Sequence, residues 1–246
     1  MSKIVERTLD FFEIFAKEER PLTLSELSRL LGIPPSSCHD VLSTLSRRGY
    51  VYAPAPGAGY YPTRRLYDIA NSIAKVDTTL QRAEIPLRSL RDATGETVSL
   101  ARVTHDGIVT VLVALGDNRL GFIPQVGDHA RAYYATAAGK AYLGGLGHDA
   151  ARAYLEATDL VPLTPHTETN IEKLLADLDV SEQRGWYLNR EQSLEGMIAV
   201  AARLISSGST YIIVVHVPSV RMLRKMDEVT EALLRTREQL ADAPMR

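Results

Sequence analysis

The polar residues between Ser36 and Arg47 are of types and at spacings that suit recognition of a surface rather than chemistry on a bond. In "PPSSCHDVLSTLSRRG", Cys38, Val41, Leu42 and Leu45 recur at helical intervals. They mark one buried stripe and turn Ser36, Ser37, His39, Asp40, Ser43 and Arg47 outward. Short hydroxyls near a helix N-terminus can hydrogen-bond base edges in a major groove, and the backbone N–H groups beside them favour a phosphate. His39 and Ser37 are the expected base readers, while Arg47, Arg64 and Arg65 would neutralise phosphates and set register. Two features oppose this. Asp40 places a negative charge where a phosphate would pass, and the loop "APAPGAG" after the helix has no Lys or Arg.

Chemistry of other kinds lacks its residues. The chain has no Gly-x-Ser-x-Gly elbow, phosphate-binding glycine loop or His-Glu-x-x-His helix. His105, His129, His148, His166 and His216 are scattered without ligand spacing, so no metal, cofactor or catalytic residue is expected. The single cysteine, Cys38, excludes an intramolecular disulfide and any multi-cysteine zinc site within one chain.

The elements that must carry the polar face follow from local signals. Ile4, Val5, Leu9, Phe12 and Phe15 predict a first helix, stopped by Pro21. A second helix carries Leu24, Leu27, Leu30 and Leu31 as its apolar stripe. Thr23 or Ser25 can cap it, but Ser28 three residues after Ser25 makes the signature partial. Gly32 suits a helix C-cap, and Pro34 and Pro35 open a third helix that Gly49 ends. "YVYAPAPGAGYYPT" predicts a hairpin. Helix, helix, turn, helix, hairpin is the layout of a winged helix-turn-helix over residues 1–64. A linker helix is expected over 65–80 and a second domain over 81–246. There, helices near 82–94, from "ATAAGKAYLGGL" and from "NIEKLLADLDVSEQRG" alternate with strands from "TVSLARV", "GIVTVLVAL", "MIAVAARLI" and "TYIIVVHV". An amphipathic helix over 220–240 closes the chain. Strands grouped early and late, with helices between, predict α+β with a mainly antiparallel sheet.

Composition is compatible with this division. A chain of 246 residues is long enough for two domains, and 45% hydrophobic with 24% charged residues is ordinary for a globular protein. The net charge of −2 excludes a wholly basic nucleic-acid binder, although residues 1–65 carry 9 Lys/Arg against 7 Asp/Glu. The N-terminus lacks a signal-peptide core, and no apolar run is long enough to cross a bilayer, so a cytoplasmic location is expected.

With "LTLSELSRLLGIPPSSCHDVLSTLSRRGYV", "ATAAGKAYL" and "RGWYLNREQSLEGMIAVAARL" in view, the chain resembles the IclR family of bacterial transcription regulators over nearly its full length. The resemblance implies an N-terminal winged helix-turn-helix joined to a GAF-like effector-binding domain. It also implies homodimers or homotetramers on palindromic promoter sites, and effectors that are often small organic or aromatic acids. Carried over onto this sequence, the implied effector pocket takes Ala137 and Ala138 at the helix start, then Asn189, Ala199, Val214 and His216. Three positions depart from the family's pattern: Tyr134 where a histidine is common, Asn189 where an acid is common, and His216 where a small hydroxyl is common. Replacing a carboxylate by Asn189 lessens repulsion of an anion, and His216 can donate a hydrogen bond or carry positive charge. The helix start offers backbone N–H groups, and Tyr133 and Tyr134 are expected to flank an aromatic ring. An aromatic or other small organic acid is therefore the expected effector. The alternatives are an enzyme acting on a small acid with an appended DNA-binding domain, and a protein that works only through partners.

Overall fold

Phe11 and Phe15, one turn apart on α1 (Lys3–Glu18), are buried against Leu27, Cys38, Leu42, Leu45 and Val51, and this cluster organises the N-terminal part of the chain. The computed structural model describes residues 3–74, 76–117, 123–206, 208–222 and 224–241. They divide into two compact units, Met1–Asp77 and Thr78–Arg246.

In the first unit α2 (Leu24–Leu31) starts with a complete capping box, in place of the partial signature read at Ser25. The Thr23 hydroxyl accepts from the Glu26 N–H at 3.3 Å, and the Glu26 carboxylate accepts from the Thr23 N–H at 2.9 Å. The Thr23 N–H and hydroxyl both donate to that carboxylate and, together with the Arg20 guanidinium, hold it down at about 2. The expected stripe of α2 narrows, because Leu27 is buried while Leu30 is 40% exposed. Gly32 closes α2 in the left-handed region (φ 62), where a side chain would be strained. Pro35 then opens α3 (Pro35–Arg47) at a position where no N–H is needed. The wing is the antiparallel pair β1 (Val51–Tyr52) and β2 (Tyr61–Pro62), extended by a bridge from Leu22 to Tyr60.

The helix expected over 65–80 is two helices. α4 (Arg65–Ala74) ends in a tight turn, with Val76 N–H on Ile73 O and Asp77 N–H on Ala74 O. α5 (Thr78–Thr94) begins after it, and Lys75 lies outside the described residues. β-Branched Val76, Thr78 and Thr79 crowd this break and weaken helix continuity.

The second unit is an antiparallel sheet of five strands in the order β4-β3-β7-β6-β5, from β3 (Thr97–Thr104), β4 (Gly107–Ala114), β5 (Tyr187–Arg190), β6 (Met197–Ser206) and β7 (Ser209–Pro218). Helices cover both faces. On one, α5 and α10 (Met226–Ala241) pack on Val200, Ile213, Val215 and Val217. On the other, α6 (Ala137–Leu146), α7 (His148–Glu156) and α8 (Ile171–Arg184) cover Ala201, Ile212 and Val214. The fold is α+β, as the sequence implies. Neither α7 nor β5 was expected, and the closing helix is divided into α9 (Ser219–Met222) and α10. α9 is held by Arg221, whose guanidinium donates to both oxygens of the buried Glu96 carboxylate at 2.8 and 2.5 Å.

Thr23→Ala is expected to weaken the start of α2 by about 1 kcal/mol. Amide exchange in α2 of the full chain then speeds by about five-fold, and unchanged exchange would show that the cap is redundant.

Candidate effector cavity and DNA-reading surface

α3 presents two faces to solvent. Ser36, His39, Asp40, Ser43 and Arg47 are exposed. Ser37 is half-buried instead, on the side that with Asp40, Thr44 and Arg48 borders a groove against Ile4, Thr8 and Phe12 of α1. Residues two apart on a helix face different sides, so Ser37 stands apart from His39, with Asp40 between the two sides. His39 Nδ1 lies 3.9 Å from the Asp40 carboxylate. Beyond the wing, Arg64 lies over the Tyr67 ring at 4.9 Å and pairs with Asp68 at 3.2 Å. Arg65 lies over Tyr50 at 5.4 Å. Stacking holds both cations at the N-terminal turn of α4, where the helix dipole gives them no stabilisation.

In the second unit a cavity of about 470 Å³ opens between the sheet and the N-terminal turn of α6. Thr136 caps that turn by accepting from the Gly139 N–H at 3.1 Å. Gly139 is required by close approach, since a Cβ there would lie 2.2 Å from Tyr133 Cα. The next residue, Lys140, is 2% exposed, and its ammonium donates to Asp177 at 2.8 Å and to Leu188 O at 3.2 Å. Together they seat the start of α6 on the cavity, with Ala137 and Ala138 as part of its wall.

The wall also includes Asn189, Ala199, Val214 and His216, so all six residues carried over by resemblance surround one space, while the two tyrosines expected from their chemistry, Tyr133 and Tyr134, lie outside it. Tyr133 stacks on Tyr154 with centroids 5.5 Å apart, and its hydroxyl accepts from the Ile108 N–H at 3.3 Å. Tyr134 is buried and donates to Val161 O at 2.7 Å. Both have packing partners already, and the expected aromatic clamp is absent among the described residues. The apolar wall is aliphatic, with Ile108, Leu163, Leu194 and Ile198.

Asn189 is buried and its amide is committed, accepting from the Gln192 N–H at 2.8 Å and donating to Ser193 Oγ at 2.7 Å. It shapes the turn after β5. Strict alternation along β7 puts His216 on the face of Ile212 and Val214, opposite Val215 and Val217. His216 Nε2 lies 2.9 Å from Ser99 Oγ. Burial pushes the imidazole down to about 4, so it is neutral near pH 7 and not the cation the sequence allowed for. The sequence reading missed Ser99, Asp128, His129, Arg131, Thr136 and Ser193 on the same wall. Only Thr136 had a local signal, as a capping residue ahead of "AAGKA".

Residues 4–54 match the IclR helix-turn-helix domain, and residues 72–242 match the C-terminal domain of the bacterial transcriptional regulator IclR. The chain belongs to the IclR family. It is 27% identical to the HTH-type transcriptional regulator XynR of Escherichia coli, over 80% of this chain and 78% of that protein. KdgR of Escherichia coli is 26% identical over 93% of this chain and 87% of its own length. Among solved structures, the Thermotoga maritima IclR covers 98% of both chains with a TM-score of 0.76 at 19% identity. An IclR homolog from Microbacterium hydrocarbonoxydans, complexed with 4-hydroxybenzoate, has a TM-score of 0.66 at 17% identity, covering 97% of this chain and 98% of that one. The two likenesses show the shared fold. Family membership makes the protein a DNA-binding transcriptional regulator and not an enzyme. No helix among the described residues is long and apolar enough to cross a membrane.

A neutral, half-buried His216 at the cavity wall predicts a pH dependence for the IclR-family regulator without ligand. The folded-state value of about 4 lies below the ordinary 6.5, so between those limits the unfolded chain takes up a proton that folded His216 refuses. Stability is full above pH 6.5 and falls on acidification toward pH 4, by on the order of 3 kcal/mol at the bottom of that window. His216→Gln should remove that share of the slope in pH-dependent denaturation. An identical slope in the variant would show that His216 titrates normally.

Proposed function

We propose that the regulator binds promoter DNA through α3, Arg64 and Arg65, and that a small organic acid in the α6 cavity controls this binding. The observation that carries the reading is the cavity itself. At about 470 Å³ it falls within the usual ~300–1,000 Å³ of small-molecule sites. Its walls are largely aliphatic, with a few polar groups beside a helix N-terminus that favours an anion. An aromatic monocarboxylate is the first class to test. It fits that combination of an apolar body and one charged end, and the structurally similar Microbacterium hydrocarbonoxydans protein is complexed with 4-hydroxybenzoate.

Residues 1–64 are the reader, residues 81–246 the sensor, and residues 65–80 the connection between them. The protein acts in the cytoplasm as a homodimer or homotetramer on a palindromic site, with half-sites about 34–36 Å apart or at multiples of that distance. The acid changes promoter affinity only to the extent that it binds the competent and incompetent arrangements unequally; a typical coupling of about 1–3 kcal/mol is a five- to 150-fold change.

Footprinting on DNA beside the regulator's own gene, with and without a panel of benzoates and short oxo acids, tests the whole reading. Arg47→Ala should weaken binding at all sites to a similar degree and flatten the salt dependence, whereas His39→Ala should change which sequences are selected. An unchanged selection profile removes His39 from base reading. Ala199→Phe fills the cavity, so it should abolish the response to the acid and leave DNA binding intact. A full response in that variant would place the effector elsewhere.

A further inference from the structure

We infer that Arg131 is the residue by which the cavity tells an acid from a neutral molecule of the same shape. Its guanidinium grips the effector carboxylate at the rim, and the apolar body of the effector lies inward. This rests on the reading of the cavity as the effector site. The wall grades from dry to wet. Ala101, Ile108, Ile198 and Val214 on the sheet are buried, whereas Asp128, His129 and Arg131 on the same wall are exposed. An acid that entered carboxylate-first would strip its charge of water among aliphatic groups, which is costly. Entering body-first, it buries its apolar surface and leaves the charge at the rim beside a permanent cation.

The backbone fixes Arg131 there from both sides. Before it, the chain pairs along β4: Gly127 N–H donates to Thr110 O, Thr110 N–H to Asp128 O and Ala130 N–H to Ile108 O, each at 2.8 Å. After it, Ala132 takes a left-handed φ of 47, uncommon for a residue with a side chain. The Ala132 carbonyl then accepts from the Ala135 N–H at 2.8 Å, which turns the chain into α6. The side chain, by contrast, is uncommitted. Among the described residues Arg131 has no hydrogen bond, ion pair or ring contact. Arg91, Arg152, Arg203 and Arg221 of the same unit each meet a carboxylate at 2.5 to 2.7 Å.

Its neighbours are less suited to hold an anion. The Asp128 carboxylate accepts from the Gln125 N–H at 2.7 Å and makes no ion pair with Arg131. Lys140, in the first turn of α6, is spent on Asp177. His129 is bridged to Val109 through its backbone, and its ring is the competing partner for a carboxylate. A guanidinium offers two parallel N–H donors that match both oxygens of a carboxylate, which an imidazole cannot do. The N-terminus of α6 contributes a partial positive charge only. A bidentate grip recognises charge and planar shape together, so a neutral amide with the same body loses most of it.

Titration calorimetry of the full-length regulator tests this, with sodium benzoate and sodium 4-hydroxybenzoate each set against its primary amide. If another acid of the footprinting panel binds in their place, that acid and its amide form the pair. The wild-type protein should prefer acid over amide by about tenfold or more. Arg131→Gln should weaken the acid by about ten- to hundredfold and leave the amide within about twofold. Arg131→Lys, which keeps the charge and loses the fork, should fall between, and His129→Gln should discriminate like the wild type. Arg131 is exposed and makes no internal bond, so Arg131→Gln should melt with the wild type. Undiminished acid affinity in Arg131→Gln, or an equal loss for acid and amide, overturns the inference and leaves the effector site standing. Discrimination lost in His129→Gln and kept in Arg131→Gln transfers the role to His129 and also overturns it. Failure of these probes and of every acid in the footprinting panel to bind overturns both the effector reading and this extension of it.

Discussion

Lys140 carries an ammonium group into the interior of the second unit, and the arrangement around the cavity depends on how that charge is satisfied. A buried unpaired cation costs several kcal/mol. Here it is met by the Asp177 carboxylate on α8 and by Leu188 O on β5, so three elements are tied at one point. The helix bearing Lys140 cannot slide on the sheet without breaking that pair. Gly139, one residue earlier, lets the chain at Tyr133 pass against the helix at a distance no side chain would permit. Charge satisfaction and steric closeness together place the first turn of α6 over β6 and β7, and the cavity is the space left beneath that turn.

The two units achieve specificity by different means. The N-terminal unit is small and relies on helix ends: a reciprocal cap at Thr23 and Glu26, a left-handed glycine at Gly32 and a proline start at Pro35. Those devices fix where α2 stops and α3 starts, and hence which side chains α3 turns to solvent. The C-terminal unit relies on burial. With helices on both faces of the sheet, each strand residue is assigned to one of two packed layers. That is why a histidine near the end of β7 meets a cavity rather than water.

Local patterns were strong enough to read the helix-turn-helix, its wing, the two long strands β6 and β7, and the class of the fold. Helical periodicity placed Cys38, Leu42 and Leu45 correctly inside, because a three-helix core leaves one dry side to each helix. Reading failed where several outcomes share one pattern. Leu30 has the spacing of a core residue yet is exposed, since α2 is only eight residues long and has too few neighbours to cover it. Tyr133 and Tyr134 have the chemistry of a ligand clamp, but Tyr154 and Val161 O, far along the chain, claim them first. Asn189 is drawn into a turn by Gln192 and Ser193, three and four residues further on.

By itself the sequence determined most element types, the apolar stripe of α3 and the residues able to form each buried face, because these depend on intervals of two to four residues along the chain. Only the tertiary structure decided which polar groups share the cavity, that His216 is neutral there, and that Ser37 turns toward α1. Those outcomes depend on partners a hundred or more residues away, such as Ser99 for His216, or on which helix packs against which flank. Short-range spacing carries no record of those partners. Desolvation and hydrogen-bond completion select them once the chain is folded.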